Sequence, residues 1–283
     1  MDLREAFKHA IAINQSNWNR FAGLFQWINR LAPYSQSPLA GPFLKHILKF
    51  DRPDRNFTQG FTLAINRSIK NNCRNAILPV QIVRNTLLHS SYRAIMHKCL
   101  CRDGGRCSRY PLDFGCIFIG EGSRVTEARG ISRSVSVTEA LAHLEQAADL
   151  GLVCQCIWVE AEEFVWGIRR KNLHRFLEIC FCCPCCCIAL KNLKHVGPDI
   201  RERFRSVGWQ ARSTIPCSGC GKCAKTCPVG AIRIQANAAV VSGQCIGCGI
   251  CLHRCPEKAL ELTPTGETKS RIHDYFRGFS LDV

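Results

Sequence analysis

The feature that most constrains this 283-residue chain is a repeat of cysteines near its C-terminal end. Residues 217–234 read CSGCGKCAKTCPVGAIRI and residues 245–262 read CIGCGICLHRCPEKALEL, an offset of 28 residues. Eight of the 18 aligned positions are identical: four Cys, two Gly, one Pro and one Ala. Each half is C-x2-C-x2-C-x3-C-P, so duplication of one ligand loop plus a short strand accounts for the spacing. Cysteines three apart wrap three corners of a compact tetrahedron of thiolates, and glycines between them permit turns that aim backbone N–H groups inward. The fourth corner cannot come comfortably from the same tight loop and is drawn from the other half. One set is then Cys217, Cys220, Cys223 and Cys255; the other is Cys245, Cys248, Cys251 and Cys227. Pro228 and Pro256 turn the chain after each fourth cysteine, and 231–234 and 259–262 are expected to pair as strands.

Four thiolates so arranged suit a cubane iron–sulfur cluster, and two interlocked runs of this kind are not a zinc pattern. Over about 50 residues the stretch resembles the two-cluster bacterial ferredoxins. The resemblance implies two 4Fe–4S clusters and one-electron transfer, without naming the donor or acceptor.

Cysteine supplies 21 residues, an odd number, so complete intramolecular pairing is impossible. Disulfide scaffolding also needs an oxidising compartment. The N-terminal MDLREAFKH places charges where a secretory leader has its apolar core. The most apolar run, Ile179–Leu190, is half cysteine and falls short of the ~18 residues of a spanning helix. A cytoplasmic metalloprotein is expected. The formal charge is +16; three thiolate-ligated clusters at roughly −2 each would leave about +10. The charge is scattered, which suits a solvated surface. Redox partner proteins are the expected partners, peripheral membrane contact ranks behind them, and nucleic acid is disfavoured. No G-x-x-x-x-G-K-[ST] loop or dinucleotide fingerprint occurs, so no NAD or ATP site is expected.

Thirteen further cysteines remain. Cys99, Cys101, Cys107 and Cys116 lie within 18 residues, among Arg102, Gly104, Gly105 and Arg106. A third 4Fe–4S cluster is the preferred reading there, ahead of zinc and of unliganded thiols. Cys180, Cys182, Cys183, Cys185, Cys186 and Cys187 crowd the run EICFCCPCCCIAL. Adjacent residues of extended chain point to opposite faces, so these thiols cannot all reach one cluster. A strand ending near Cys182 and a helix with Pro184 in its first turn would bring Cys183, Cys186 and Cys187 together beside a helix N-terminus. Cys182, Cys183, Cys186 and Cys187 are therefore candidate further or shared ligands; free redox thiols and inert apolar packing are the alternatives. Cys154 and Cys156 form a pair and Cys73 stands alone. His97 and His253, beside cysteines, are read as tuning or surface residues.

Elsewhere the chain reads as α+β: a mostly helical N-terminal part, a mixed cysteine-rich middle and the C-terminal ferredoxin-like dicluster module. The expected divisions are 1–95, 96–212, 213–265 and a tail at 266–283. Phe21, Leu24, Phe25, Ile28 and Leu31 follow helical spacing until Pro33, and Phe43–Phe50 reads as a second short helix. FTQGFTLAINRSI suits a short strand or hairpin. Pro79 opens a helix that would present Val80, Ile82 or Val83, Leu87 and Tyr92 or Ile95. Ser136 and Glu139 form a capping box for a helix ending at Gly151. GLVCQCIWVE looks strand-rich, and 167–176 looks basic and helical.

Residues 60–260 as a whole resemble an uncharacterised group of larger 4Fe–4S proteins. The residues that carry this are TQGFTLAIN, ILPVQIV, CLCR, SVTEALAHLEQAADLGLV and EICFCCPCCC, followed by the two cysteine runs. The resemblance implies one integrated protein. The leading functional expectation is an electron-transfer protein with two 4Fe–4S clusters and a third in the middle region, more an electron carrier or oxidoreductase component than a stand-alone enzyme. The alternative is a reductase whose cysteine-rich active site, residues 180–187, is fed by the ferredoxin module.

Overall fold

The computed structural model describes residues 3–47, 58–65, 69, 76–214 and 217–283; Cys73 and residues 48–50 of the second N-terminal segment lie outside them. The fold is α+β. Its main sheet comprises β1 (Gln59–Leu63), β2 (Arg93–Met96), β3 (Ile117–Ile119), β4 (Ser132–Ser134), β5 (Val153–Trp158), β6 (Leu177–Cys182) and β7 (Phe204–Ser206). The order is β4-β2-β3-β6-β5-β1-β7. Only β1 and β7 run parallel; the other neighbours are antiparallel.

The central pair sets where the cysteines go. Val153 sits opposite Cys182, Gln155 opposite Cys180 and Ile157 opposite Glu178; between them Cys154 faces Phe181 and Cys156 faces Ile179. Side chains alternate along a strand, and directly opposed residues share a face. Glu178, Cys180 and Cys182 therefore project to one side of the sheet. Cys154 and Cys156 project to the other, into the apolar core with Ile179 and Phe181. β1 and β5 are buried at every residue, because both faces of the sheet centre are covered.

Three helices precede the sheet: α1 (Leu3–Ile11), α2 (Trp18–Asn29) and α3 (Gly41–Ile47). Trp18 and Ala22 are buried on α2, with Phe21 and Phe25 packed beside them, while Leu24 faces solvent. α4 (Pro79–His89) buries Ile82, Val83 and Leu87, with Pro79 in its first turn. Tyr92 and Ile95 do not continue its face, contrary to the sequence expectation. The helix stops because Ser90 turns extended, and the Arg93 guanidinium donates to the carbonyls of Leu87, Leu88 and Ser90. Arg93 thereby satisfies the free C-terminal carbonyls and opens β2.

Next come α5 (Leu100–Gly104), α6 (Arg124–Ala128) and α7 (Val137–Asp149). The capping box forms as expected: Ser136 Oγ accepts from Glu139 N–H, and the Glu139 carboxylate accepts from Ser136 N–H. Gly151, at φ +67°, ends that segment. α8 (Glu162–Val165), α9 (Ile188–Asn192) and α10 (Pro198–Arg201) are short, and the basic stretch at 167–176 holds a 3-10 helix, Arg170–Arg175. Pro184 lies in no helix, a second correction. Residues 184–186 form a turn, and α9 begins only after Cys187. Pro184 follows Cys183 at the turn position where its fixed φ is preset.

The C-terminal module adds β8 (Trp209–Ser213), α11 (Lys222–Thr226), β9 (Ile232–Gln235), β10 (Ala238–Val241), α12 (Ile250–Arg254) and β11 (Leu260–Pro264). Contrary to the sequence expectation, the two repeat strands do not pair with one another. β9 pairs with β10, and β11 pairs with β8. Ala236 and Asn237, both at positive φ, make a two-residue turn that gives β9 a nearby partner at little loop entropy. The tail folds back: Phe276 packs edge-on to Phe61, and Phe279 lies against Trp158.

Candidate metal centres

The two halves of the module share their backbone shape as well as their cysteines. Gly219 and Gly247 have φ of +67° and +66°; Gly221 and Gly249 have +72° and +74°. These left-handed positions turn each loop around its thiols and lead into α11 and α12. Gly230 at +67° is matched by Lys258 at +50°, so the second repeat holds the same turn with a lysine. After each fourth cysteine a backbone N–H donates to sulfur: Ala231 to Cys227 Sγ at 3.2 Å, and Ala259 to Cys255 Sγ at 3.3 Å.

A cavity is lined by Cys217, Cys220, Cys223 and Cys255, with Lys222, Ile234 and Leu260 closing its sides. The other four thiols, Cys227, Cys245, Cys248 and Cys251, act electrostatically on one another. Burial pushes the Cys248 thiol up to about 12, and it raises Cys251 as well. Cys220 in the first set is exposed. Convergent thiols, N–H donors to sulfur and left-handed glycines make both sets fit a thiolate-ligated cluster.

In the middle region the ten cysteines from Cys99 to Cys187 other than Cys154 and Cys156 fall into two assemblies. Cys107, Cys183, Cys185 and Cys186 have sulfurs that all lie within 4.8 Å of one another. Cys107 and Cys185 are 3.7 Å apart, as are Cys185 and Cys186. Four thiolates around one ion at a metal–sulfur distance near 2.3 Å are separated by about 3.8 Å, so this set has the spacing of a single tetrahedral site. Burial works to raise Cys107, but backbone N–H groups of Arg109 and Tyr110 and its thiol neighbours outweigh it, bringing the group down to about 7. Burial pushes Cys183 up to about 11.

The other six thiols run in sequence around a ring. The Cys99 thiol interacts with that of Cys101, Cys101 with Cys187, Cys187 with Cys182, and Cys182 with Cys180. Cys180 lies 3.2 Å from Cys116, which in turn acts electrostatically on Cys99. Gln155 Oε1 accepts from Cys182 at 3.4 Å and from Cys187 at 3.9 Å. The neighbouring thiols Cys101 and Cys182 favour the thiolate of Cys187 and bring it down to about 5.

Thus the structure brings Cys107 to Cys183 and Cys186, and brings Cys99, Cys101 and Cys116 to Cys182 and Cys187. Cys180 and Cys185 join these assemblies without having been singled out as ligands. Strand alternation carries the signal for Cys180, which lies two residues from Cys182 and on the same face. Cys185 had no such signal, because only the turn at 184–186 aims it at Cys107.

Helix α2 holds the region in place. Trp18 Nε1 donates to Asp103, and Gln26 Nε2 donates to the Cys101 carbonyl at 2.8 Å. Gly104 lets the helices meet, since a Cβ there would lie 2.5 Å from the Ala22 carbonyl oxygen. Arg102 lies between the two thiol assemblies. Burial opposes its charge, but Cys99, Cys116, Cys183 and Cys182 outweigh that and raise its pKa.

Among the described residues no helix is long and apolar enough to cross a membrane. No curated protein and no solved structure matches the chain. A family model does: residues 216–260, which contain both cysteine runs, match the 4Fe-4S dicluster domain family.

Proposed function

We propose that this chain is an iron–sulfur electron-transfer protein that relays single electrons between a redox partner at the dicluster module and the cysteine-rich face of the main sheet. The packing of the second ligand loop carries this reading. Ile246 and Ile250, which flank Cys248, share one buried cluster with Val153, Ile157, Cys182 and Cys187. A Cβ on Gly249 would lie 3.0 Å from the Ala64 methyl, so loop and sheet domain are in close contact. At the other end Cys220 is exposed, with Lys222 and Lys225 also at the surface. One thiol set therefore faces solvent and the other faces the interior thiols.

Cys217, Cys220, Cys223 and Cys255 would hold one 4Fe–4S cluster; Cys227, Cys245, Cys248 and Cys251 would hold the other. Such clusters supply one-electron redox chemistry when bound. The chain's own groups tune that chemistry: the Ala231 and Ala259 N–H groups place positive dipole on Cys227 and Cys255, which favours the more reduced state. Lys222 and Lys225 suit an acidic partner surface. A third metal centre is assigned to Cys107, Cys183, Cys185 and Cys186. Tyr110 lies within the fields of three of these thiols and of Arg254 on α12, linking that centre to the module.

The test is visible absorption, EPR and iron and sulfide analysis of anaerobically purified protein. Expected are a sulfur-to-iron charge-transfer band that bleaches with dithionite, about eight irons from the dicluster module, and further metal from the third centre. Protein that carries iron but shows no reducible chromophore would overturn the relay.

A further inference from the structure

We propose that Cys99, Cys101, Cys116, Cys180, Cys182 and Cys187 form a second metal centre in the middle region, a buried six-thiol site for a polynuclear iron–sulfur core. It is distinct from the two dicluster sets and from the four-thiol site. The six come from four places in the chain: the start of α5, the residue before β3, one face of β6, and the residue capping α9. The sheet register makes part of this convergence obligatory. Ile117 pairs with Ile179, which sets Cys116 beside Cys180.

Two observations point to a ligand rather than to inert packing. The first is width. Cys116 and Cys180 lie 3.2 Å apart, yet the six sulfurs are not all within the 4.8 Å that the four-thiol set satisfies. One tetrahedral ion accepts four thiolates spaced about 3.8 Å apart, so six thiols exceed the ligand set of one ion and match a core of several metal ions bridged by sulfide. The second is Arg102. Its side chain is only 1% exposed, and its two terminal nitrogens donate to the carbonyls of Phe181 and Phe114. Among the described residues, no carboxylate lies within ion-pair distance of it, and its buried Nε has no hydrogen-bond partner. A buried cation without a counter-charge is severely unfavourable. The ionisable neighbours of this guanidinium are the cysteines Cys99, Cys116, Cys182 and Cys183. Three of those belong to the ring. Metal-bound thiolates there provide the missing negative charge, and Nε stands ready to donate to sulfur or sulfide. Loading is metal-for-proton exchange: Fe2+ and sulfide enter, and each ligating thiol releases its proton.

The experiment is native mass spectrometry of the full-length chain under anaerobic conditions, purified as is and after supply of Fe2+ and sulfide. The expected wild-type mass exceeds the polypeptide, two 4Fe–4S clusters and one further ion by a polynuclear iron–sulfur increment. The Cys116→Ser/Cys180→Ser variant should lose that increment and keep the EPR signal of the dicluster module, which reports that it has folded. The Cys183→Ser/Cys186→Ser variant should keep it. A wild-type mass without the increment overturns the proposal by itself, whatever the variants do. So does an increment that survives in Cys116→Ser/Cys180→Ser. Loss of the dithionite-bleached chromorphore instead strikes the relay, which is a separate failure.

Discussion

The sulfurs of Cys116 and Cys180 stand 3.2 Å apart across 64 residues of chain. The pairing of β3 with β6 places them there, and no metal is required to bring them together. Oxidation of chelator-stripped protein with diamide is therefore expected to form the Cys116–Cys180 disulfide early, as seen by peptide mapping. Metal-loaded protein should resist the same treatment, because a ligated thiolate is not free to attack. A map in which Cys116 joins other cysteines instead would contradict this register.

The left-handed glycines of the two ligand loops are not equivalent. A Cβ on Gly247 would lie 2.4 Å from the Trp209 carbonyl oxygen and 2.7 Å from Ser206 Oγ, at φ +66°. At Gly221, φ +72°, the nearest atom is the Ile234 side chain at 3.9 Å. Gly221→Ala should cost only the left-handed penalty, roughly 1–2 kcal/mol. Gly247→Ala adds a clash with backbone and should cost more, lowering both the melting temperature and the iron content. Equal losses in the two variants would show that the contact with β8 does not constrain the loop.

Much of the module was legible in the sequence because ligand spacing, glycine and proline are local signals. The capping box at Ser136 and the start of α4 at Pro79 were legible for the same reason. The strand partners were not: β9 meets β10 through a turn of Ala236 and Asn237, residues that carry a weak turn signal. The thiol assemblies of the middle region depend on long-range register. Alternation along 180–187 says that these cysteines divide. It does not say that Cys107 joins one group while Cys99, Cys101 and Cys116 join the other; the order of strands in the sheet decides that. Arg102 reads from sequence as one basic residue in a loop, and only burial turns it into a cation in need of counter-charge.

Ser136→Ala removes the acceptor for the Glu139 N–H at the start of α7 and leaves only the bond from the backbone N–H of position 136 to the Glu139 carboxylate. The expected cost is about 1 kcal/mol, a fall of roughly 2–4 °C in melting temperature for a chain of this size. α7 packs mainly on α4 and β2, so the dithionite-bleached absorption should be unchanged. Loss of the chromophore along with the melting temperature would mean that the helix and the module unfold as one unit.

His143 on α7 stacks on Phe114 with ring centroids 3.9 Å apart and planes 7° from parallel, and it hydrogen-bonds the Gly115 carbonyl. Burial lowers its pKa below the ordinary 6.5; the Gly115 carbonyl works the other way, and Arg133 and Arg102 reinforce the lowering. A histidine with a depressed folded pKa binds fewer protons folded than unfolded. Its contribution is complete above the unfolded value, near 6.5, and is lost as pH falls toward the folded value. The share of stability that His143 supplies in anaerobic urea unfolding should therefore decline as pH drops from about 8 to about 6. His143→Phe keeps the stack on Phe114 and removes the titration, so its decline over that window should be shallower, even if the lost hydrogen bond lowers stability throughout. His253 and His273 are also lowered by burial, while burial raises Glu178 to about 7 and acts in the opposite sense, so the difference between wild type and variant carries the test. Parallel pH profiles for wild type and His143→Phe would rule out a buried neutral imidazole at this position.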